Sequence, residues 1–361
     1  MGETLNQRKI FIMIKGATKT EAIYREKMLD SSSSLKDFSM DRKKYYRKYI
    51  LGEDVDDKDT QAATMGRLVE TLLMEPDEFD KRFYMSACAS APTGLMLAFV
   101  EALWKFTKES MDDDGKVTRS FEDISKDAYA ESGFKIKYDA VIAKFVGTDA
   151  EIFYNEIRTV RGKNLTVVTA EDVNNAEKIV VQLRTNDVTK DIVTMVNSKQ
   201  YSVYNQLQVE GYTIDDHMFK SMMDKVIVDH KEKRVQVYDL KCTWSVENFL
   251  EEYYLYRRAY IQAYLYYWAA IYLTKTIEEF EGYTAFPPQF IVCDSTGYYN
   301  PLIYTLTFDD ISDAYSGFTH KNREYVGVGE LIEDLKWALE NNVWNISRKN
   351  YMNDGYVKIR G

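Results

Sequence analysis

The run from residue 223 to 243 constrains this chain more than any other stretch. Two segments rich in β-branched residues, 223–229 and 235–241, flank the polar His230-Lys231-Glu232-Lys233-Arg234, the pattern of a two-stranded hairpin. Side chains alternate along a strand. Asp224, Val226 and Val228 therefore share one face, and Val235, Val237, Asp239 and Lys241 share a face of the partner strand. A turn centred on Lys231-Glu232 predicts the pairs Val228 with Val235, Val226 with Val237, and Asp224 with Asp239. The register that buries the valines thus sets two carboxylates side by side, where opposed Cβ atoms lie about 5 Å apart and like charges repel. At an effective dielectric near 20 the repulsion is roughly 3 kcal/mol. It is relieved if the acids point to water, if one carboxyl pKa rises, or if positive charge is brought in. Lys241, on the same face, is one source of such charge; a divalent cation such as Mg²⁺, which one or two carboxylates hold together with waters and phosphate oxygens, is another.

A chain of 361 residues has room for one large domain or two. No apolar run approaches the length of a bilayer span, and residues 9–14 are too short for the apolar region of a signal peptide, so a cytoplasmic location is expected. Cys88, Cys242 and Cys293 are far apart in the sequence and form no C-x-x-C, which suggests neither a disulfide framework nor a zinc site. His217, His230 and His320 form no ligand pair. A net charge of −10 argues against a surface coated in basic residues, but leaves room for positive potential confined to one groove.

Around the hairpin the chain alternates helical and strand patterns. Ser31-Ser32-Ser33-Ser34 offers N-caps for a helix running through Leu35, Phe38, Tyr45, Tyr46 and Tyr49. Within it, Lys43 with Arg47 and Lys44 with Lys48 fall at i,i+4, a spacing that suits a phosphate backbone as well as a solvated face. A helix over 60–75, stopped by Pro76, carries Gly66 and Glu70 one turn apart. The stretch 86–200 reads as helical, with an apolar stripe of Leu95, Phe99, Leu103 and Trp104, and its acidic loop 111–115 lacks EF-hand spacing. A strand over 201–212 is expected beside the hairpin, with Gln208 or Glu210 as side chains that could reach toward its acids, and Asp215 and Asp216 in the turn after it. Ser245 should cap a long, tyrosine-rich helix over 246–274, on which Arg258, Gln262 and Tyr266 recur every four residues. An arginine and an amide on a buried helix need partners, and the paired acids, Lys241 or a phosphate would serve. Strands at 290–293 and 302–306, a helix over 329–342 and a polar tail over 347–361 complete the reading.

Asp224 followed by Asp239-Leu240-Lys241 resembles the D…DxK signature of the PD-(D/E)XK nucleases. Gly66-Arg67-Leu68-Val69-Glu70 is similar to the G-x-x-x-H/E helix motif, and Gln262-Ala263-Tyr264-Leu265-Tyr266 to the Q-x-x-x-Y motif, of the branch that holds the RecB nuclease domain, lambda-type exonuclease and exonuclease VIII (RecE). The resemblance covers roughly residues 31–84 and 200–310. It implies an α/β fold with a restriction-endonuclease-like core, a mixed central sheet flanked by helices, and a helical insertion. The expected parts are a lead-in (1–30), N-terminal helices of the core (31–84), the insertion (85–200), the catalytic sheet with the Q-x-x-x-Y helix (201–310), and a C-terminal helix and tail (311–361).

The same resemblance implies that Glu70, Asp224, Asp239 and the Leu240 carbonyl hold one or two Mg²⁺ ions, with Mn²⁺ as substitute. Lys241 would orient or help deprotonate the attacking water, Gln262 would hold Lys241 or a phosphate oxygen, and Tyr266 would support the DNA strand. Arg258, Lys43, Lys44, Arg47 and Lys48 are the candidate DNA contacts. The implied activity is 5′→3′ digestion of duplex DNA ends by a ring-shaped oligomer, working with a single-strand annealing protein in phage-type recombination. Some relatives carry an iron–sulfur cluster on four cysteines, which three cysteines cannot supply. A structure-specific endonuclease or a single-strand exonuclease of the same fold remains open, as does a non-catalytic DNA-binding or assembly protein.

Overall fold

The computed structural model describes residues 29–53, 61–88, 90–160, 163 and 165–357. Most of the expected lead-in therefore lies outside the described residues. Two units are present, one comprising the chain up to Ala62 and from Val181 onward, the other Ala63–Val180. No helix among the described residues is long and apolar enough to cross a membrane.

The serine run begins α1 (Ser32–Met40) as its composition predicts. Ser31 is the N-cap, with its Oγ accepting from Ser34 N while Ser34 Oγ accepts from Ser31 N, so two orphan donors are satisfied reciprocally. Leu35 and Phe38 face the core. The single helix expected through Tyr49 is instead broken. Asp41 adopts extended backbone, ends α1, and caps α2 (Arg42–Tyr45) through its Oδ1, after which Tyr46–Ile50 is a π-helical turn. Helix α3 (Gln61–Met74) stops just before Glu75-Pro76, as expected.

The smaller unit continues with α4 (Phe79–Arg82), β1 (Phe83–Met85), α5 (Gly94–Glu109), α6 (Phe121–Ser132), α7 (Tyr138–Phe145), α8 (Asp149–Val160) and β2 (Thr166–Val168), which pairs parallel to β1. Phe99, Leu103, Phe145 and Phe153 are among the side chains of its own apolar core. Helix α9 (Ala170–Thr185) leads back into the larger unit, where α10 (Lys190–Val193) follows.

The larger unit is built on one mixed sheet. Strands β3 (Tyr201–Ile214), β4 (His217–Asp229) and β5 (Arg234–Thr243) run antiparallel. The pairs Val228–Val235 and Val226–Val237 form as the valine pattern dictates. Both faces of the central strands are covered, which buries Ile227 and Gln236 as well as the valines. On β3, Gln206 at φ 50° is left unpaired between Asn205–Lys225 and Leu207–Met223 with the register unchanged, and the register shifts between Glu210 and Tyr212, where Gly211 has φ 78°.

Beyond β5 the helix expected over 246–274 comes in three pieces: a 3₁₀ turn at Val246–Asn248, a π-helical stretch at Leu250–Tyr256, and α11 (Ala259–Thr276). Arg258, at φ 55°, is the hinge between the last two. Helix α11 is apolar almost all round and lies against β3, β4 and β5, with α1 beside it. It carries the chain over to β6 (Thr284–Ala285) and β7 (Gln289–Asp294), both parallel to β5, and β8 (Leu302–Thr305) closes the sheet antiparallel to β7. Between β6 and β7 the Pro287 carbonyl accepts from Gln236 Nε2.

After β8 come α12 (Phe308–Ser316), the short pair β9 (Phe318–His320) and β10 (Arg323–Tyr325), α13 (Val328–Asn341), and α14 (Arg348–Met352) within the expected polar tail. Cys242 and Cys293, remote in sequence, are register partners on β5 and β7. A hydrogen bond from the Cys293 S–H to Cys242, followed by burial, pushes the Cys293 thiol well above its ordinary pKa.

Candidate active site

The hairpin ladder stops at Lys225–Tyr238, one pair short of the two acids. Past that point Asp224 uses its side chain in place of the missing backbone bond, with Oδ2 accepting from Leu240 N at 2.8 Å. The carboxylate of Asp224 is thereby fixed to the peptide that follows Asp239. Both acids are buried, Asp239 completely. Part of the repulsion expected between them is answered by this backbone N–H, and more by the partners of Asp239.

Those partners come from three elements. Lys241, two residues along β5, forms an ion pair with Asp239 Oδ2. On α11, Gln262 Nε2 donates to Asp239 Oδ1 at 2.7 Å and to Tyr266 OH at 2.9 Å, and Tyr266 OH donates to Met222 O at 2.6 Å, tying the helix to β4 two residues before Asp224. The third element is α1, whose Lys36 Nζ donates to Gln262 Oε1 at 2.9 Å. Although Lys36 as a whole residue is half-buried, its ammonium is enclosed. Burial, reinforced by the charge of Lys241, pulls its pKa down to about 7, with Asp239 and Asp37 acting the other way.

One atom in this network stands out. Asp239 Oδ2 is enclosed and accepts no hydrogen bond, and its partner is the ion-paired Lys241 ammonium. A buried carboxylate oxygen without a hydrogen bond is costly in a finished protein core. It is a suitable donor for a hard cation, whose shell can be one or two carboxylates plus water and substrate oxygens. Among the described residues no three His, Cys, Asp or Glu side chains converge to hold a metal ion. The oxygen donors that the larger unit brings to this point are the Asp224 and Asp239 carboxylates and the carbonyl of Leu240, the residue after Asp239. Glu70 sits half-buried on α3, in the smaller unit.

Of the residues singled out from sequence, Asp224, Asp239, Leu240, Lys241, Gln262 and Tyr266 come together. Arg258 does not continue the Gln262–Tyr266 row. It precedes the first helical residue, and its guanidinium donates to Ser39 O at the C-terminal end of α1. The expected basic face is largely engaged by acids of the chain itself. Lys44 and Lys48 pair with Asp37, Arg47 pairs with Glu53, and Lys43 is exposed beside its N-cap Asp41. Gln208 faces Met222, Glu210 lies opposite Lys220, and Asp215 accepts from Tyr315 OH.

Lys36 was not foreseen. In sequence it is one of 47 basic residues, next to the buried Leu35, and only the packing of α1 on α11 gives it meaning.

No family model matches the chain, and no curated protein matches it. Among solved structures, a crystal structure from Eubacterium rectale designated a candidate exonuclease is similar over 95% of this chain and 96% of its own, at 12% sequence identity and a TM-score of 0.47. A likeness at that level leaves the function to be argued from the site.

Proposed function

We propose that this chain is a Mg²⁺-dependent deoxyribonuclease, a phosphodiester hydrolase whose centre is the Asp224–Asp239 pair. The observation that carries the reading is Asp239 Oδ2, a buried anionic oxygen beside a lysine and a second acid, left without a hydrogen bond. Asp224, Asp239 and the Leu240 carbonyl would hold the ion, and Mn²⁺ would substitute. When bound, Mg²⁺ would supply a Lewis acid and a water of lowered pKa. The chain's own groups do the remaining work. Gln262 and the Leu240 amide hold the two carboxylates in place before substrate arrives. Lys241 brings a positive charge to where a phosphoryl oxygen gains negative charge, and its ion pair with Asp239 keeps it there. Tyr266 locks α11 to β4, so the amide and the acids keep their spacing.

The finer parts of the proposal follow the D…DxK and Q-x-x-x-Y resemblance: 5′→3′ digestion from duplex ends, a ring-shaped oligomer, and a single-strand annealing protein as partner in phage-type recombination. End-labelled linear duplex, closed circular duplex and single-stranded DNA, each incubated with Mg²⁺, test them together. The linear duplex should be shortened from its 5′ ends and the circle left intact. A nicked circle would mean an endonuclease, digestion of single strands alone a single-strand exonuclease, and no cleavage with DNA still bound a non-catalytic binding protein. Asp239→Asn should abolish cleavage while DNA is still retained in Ca²⁺, and the same digestion with Glu70→Gln checks separately the role the resemblance gives Glu70.

A further inference from the structure

A glutamine amide beside a carboxylate can be seated either way round, and only one way is useful. Gln262 has two N–H donors on Nε2 and an acceptor oxygen, Oε1. Both donor directions are taken on the site side, by Asp239 Oδ1 and Tyr266 OH, and Oε1 accepts from Lys36. Turned over, the amide would set Oε1 against the Asp239 carboxylate and its NH₂ against the donor-only Lys36 ammonium. Two repulsive contacts would then replace two bonds.

Asp239 alone gives the amide a reason to face it. Tyr266 does not decide the matter, since a hydroxyl both donates and accepts. Lys36 does decide it, because its ammonium offers N–H donors and no acceptor. It also comes from a different element, 226 residues away in sequence, so it couples the seating of α1 to the state of the site.

We propose that Lys36 is a positioning residue of the nuclease site: by donating to Gln262 Oε1 it holds the amide donor side on Asp239 and so keeps that carboxylate ready for metal and substrate. The proposal rests on the nuclease reading. Lys36 does not itself touch the acids by hydrogen bond. Its effect passes through Gln262.

Lys36→Met, Gln262→Ala and the double variant, each in the full chain, test this on linear duplex with Mg²⁺. Lys36→Met should lower kcat roughly 10- to 100-fold, move KM less than about threefold, and add nothing to the loss in Gln262→Ala. Losses that multiply in the double variant, or that fall on KM, would overturn it. A second measurement needs no turnover. The side-chain ¹⁵N amide resonances of Gln262, identified by their disappearance in Gln262→Ala, should show two separated, slowly exchanging protons in the wild type. In Lys36→Met they should broaden or converge, and an unchanged pair would overturn the proposal. Were the wild type to cleave no DNA, the nuclease reading would fall, and the amide resonances would still decide whether Lys36 orients Gln262.

Discussion

A lysine inside a sheet is unfavourable unless something answers its charge. Lys225 is 3% exposed, and its ammonium reaches Val193 O, Met195 O and Asn205 Oδ1 only at 3.4, 3.5 and 3.4 Å. Burial pulls its pKa from the ordinary 10.5 down to about 8. Below about pH 8 both folded and unfolded chains carry the proton, and the full penalty, roughly 3 kcal/mol, stands. Between the two pKa values the unfolded chain binds the proton that the folded one has shed, so stability climbs with pH. Lys225→Met removes this term. Its unfolding free energy from urea titration should exceed that of the wild type at pH 7, and the gap should shrink by roughly 2–3 kcal/mol by pH 10. A gap that stays constant over that range would show that Lys225 keeps its proton when folded. At this scale the candidate site was largely legible. Asp224, Asp239 and Lys241 stand out because valine spacing fixes the register, and a register fixes which side chains meet. Lys36 and Arg258 were illegible because what each does is decided by a partner more than two hundred residues away.

At the scale of elements, local chemistry set the starts and stops, while tertiary contacts set the interruptions. Helix α13, expected over 329–342, runs Val328–Asn341, and α3 halts before its proline. The break between the π-helical stretch and α11 had no such signal. A left-handed turn usually announces itself with glycine or asparagine, and here an arginine takes it. The bond from Arg258 to Ser39 O offsets some of that strain and anchors α1 to the start of α11. The other end of α1 is held by Ser34, which caps Ser31 N and donates to Asp30 Oδ1, an acid that also receives Tyr45 OH and His217 Nε2. Ser34→Ala breaks both links and should cost about 1–2 kcal/mol, against about 1 kcal/mol for Ser31→Ala, which removes only the cap. Chemical denaturation of the two variants checks the order. Equal losses would mean that the Asp30 bond contributes nothing to the fold.

At the scale of the molecule, the division into two units could not be read from the chain. The helical pattern and the resemblance placed an insertion at 85–200, whereas the two compact units divide at Ala62/Ala63 and Val180/Val181. Both limits fall inside helices, α3 and α9, where no proline or glycine linker marks a change. What separates the units is their cores. Phe145 packs edge-on with Phe99 and Tyr154 in the smaller one. Phe290 packs with Phe249 and Tyr254 over the sheet of the larger. Truncating a fully buried phenylalanine costs about 3–5 kcal/mol, and that loss is felt by whichever cooperative block contains it. Calorimetry of the full chain should therefore resolve two transitions, with Phe145→Ala lowering one and Phe290→Ala lowering the other. If either substitution moved a single shared transition, the units would unfold as one block, and a destabilising change in the smaller unit would then lower the folded fraction of the Asp224–Asp239 site as well.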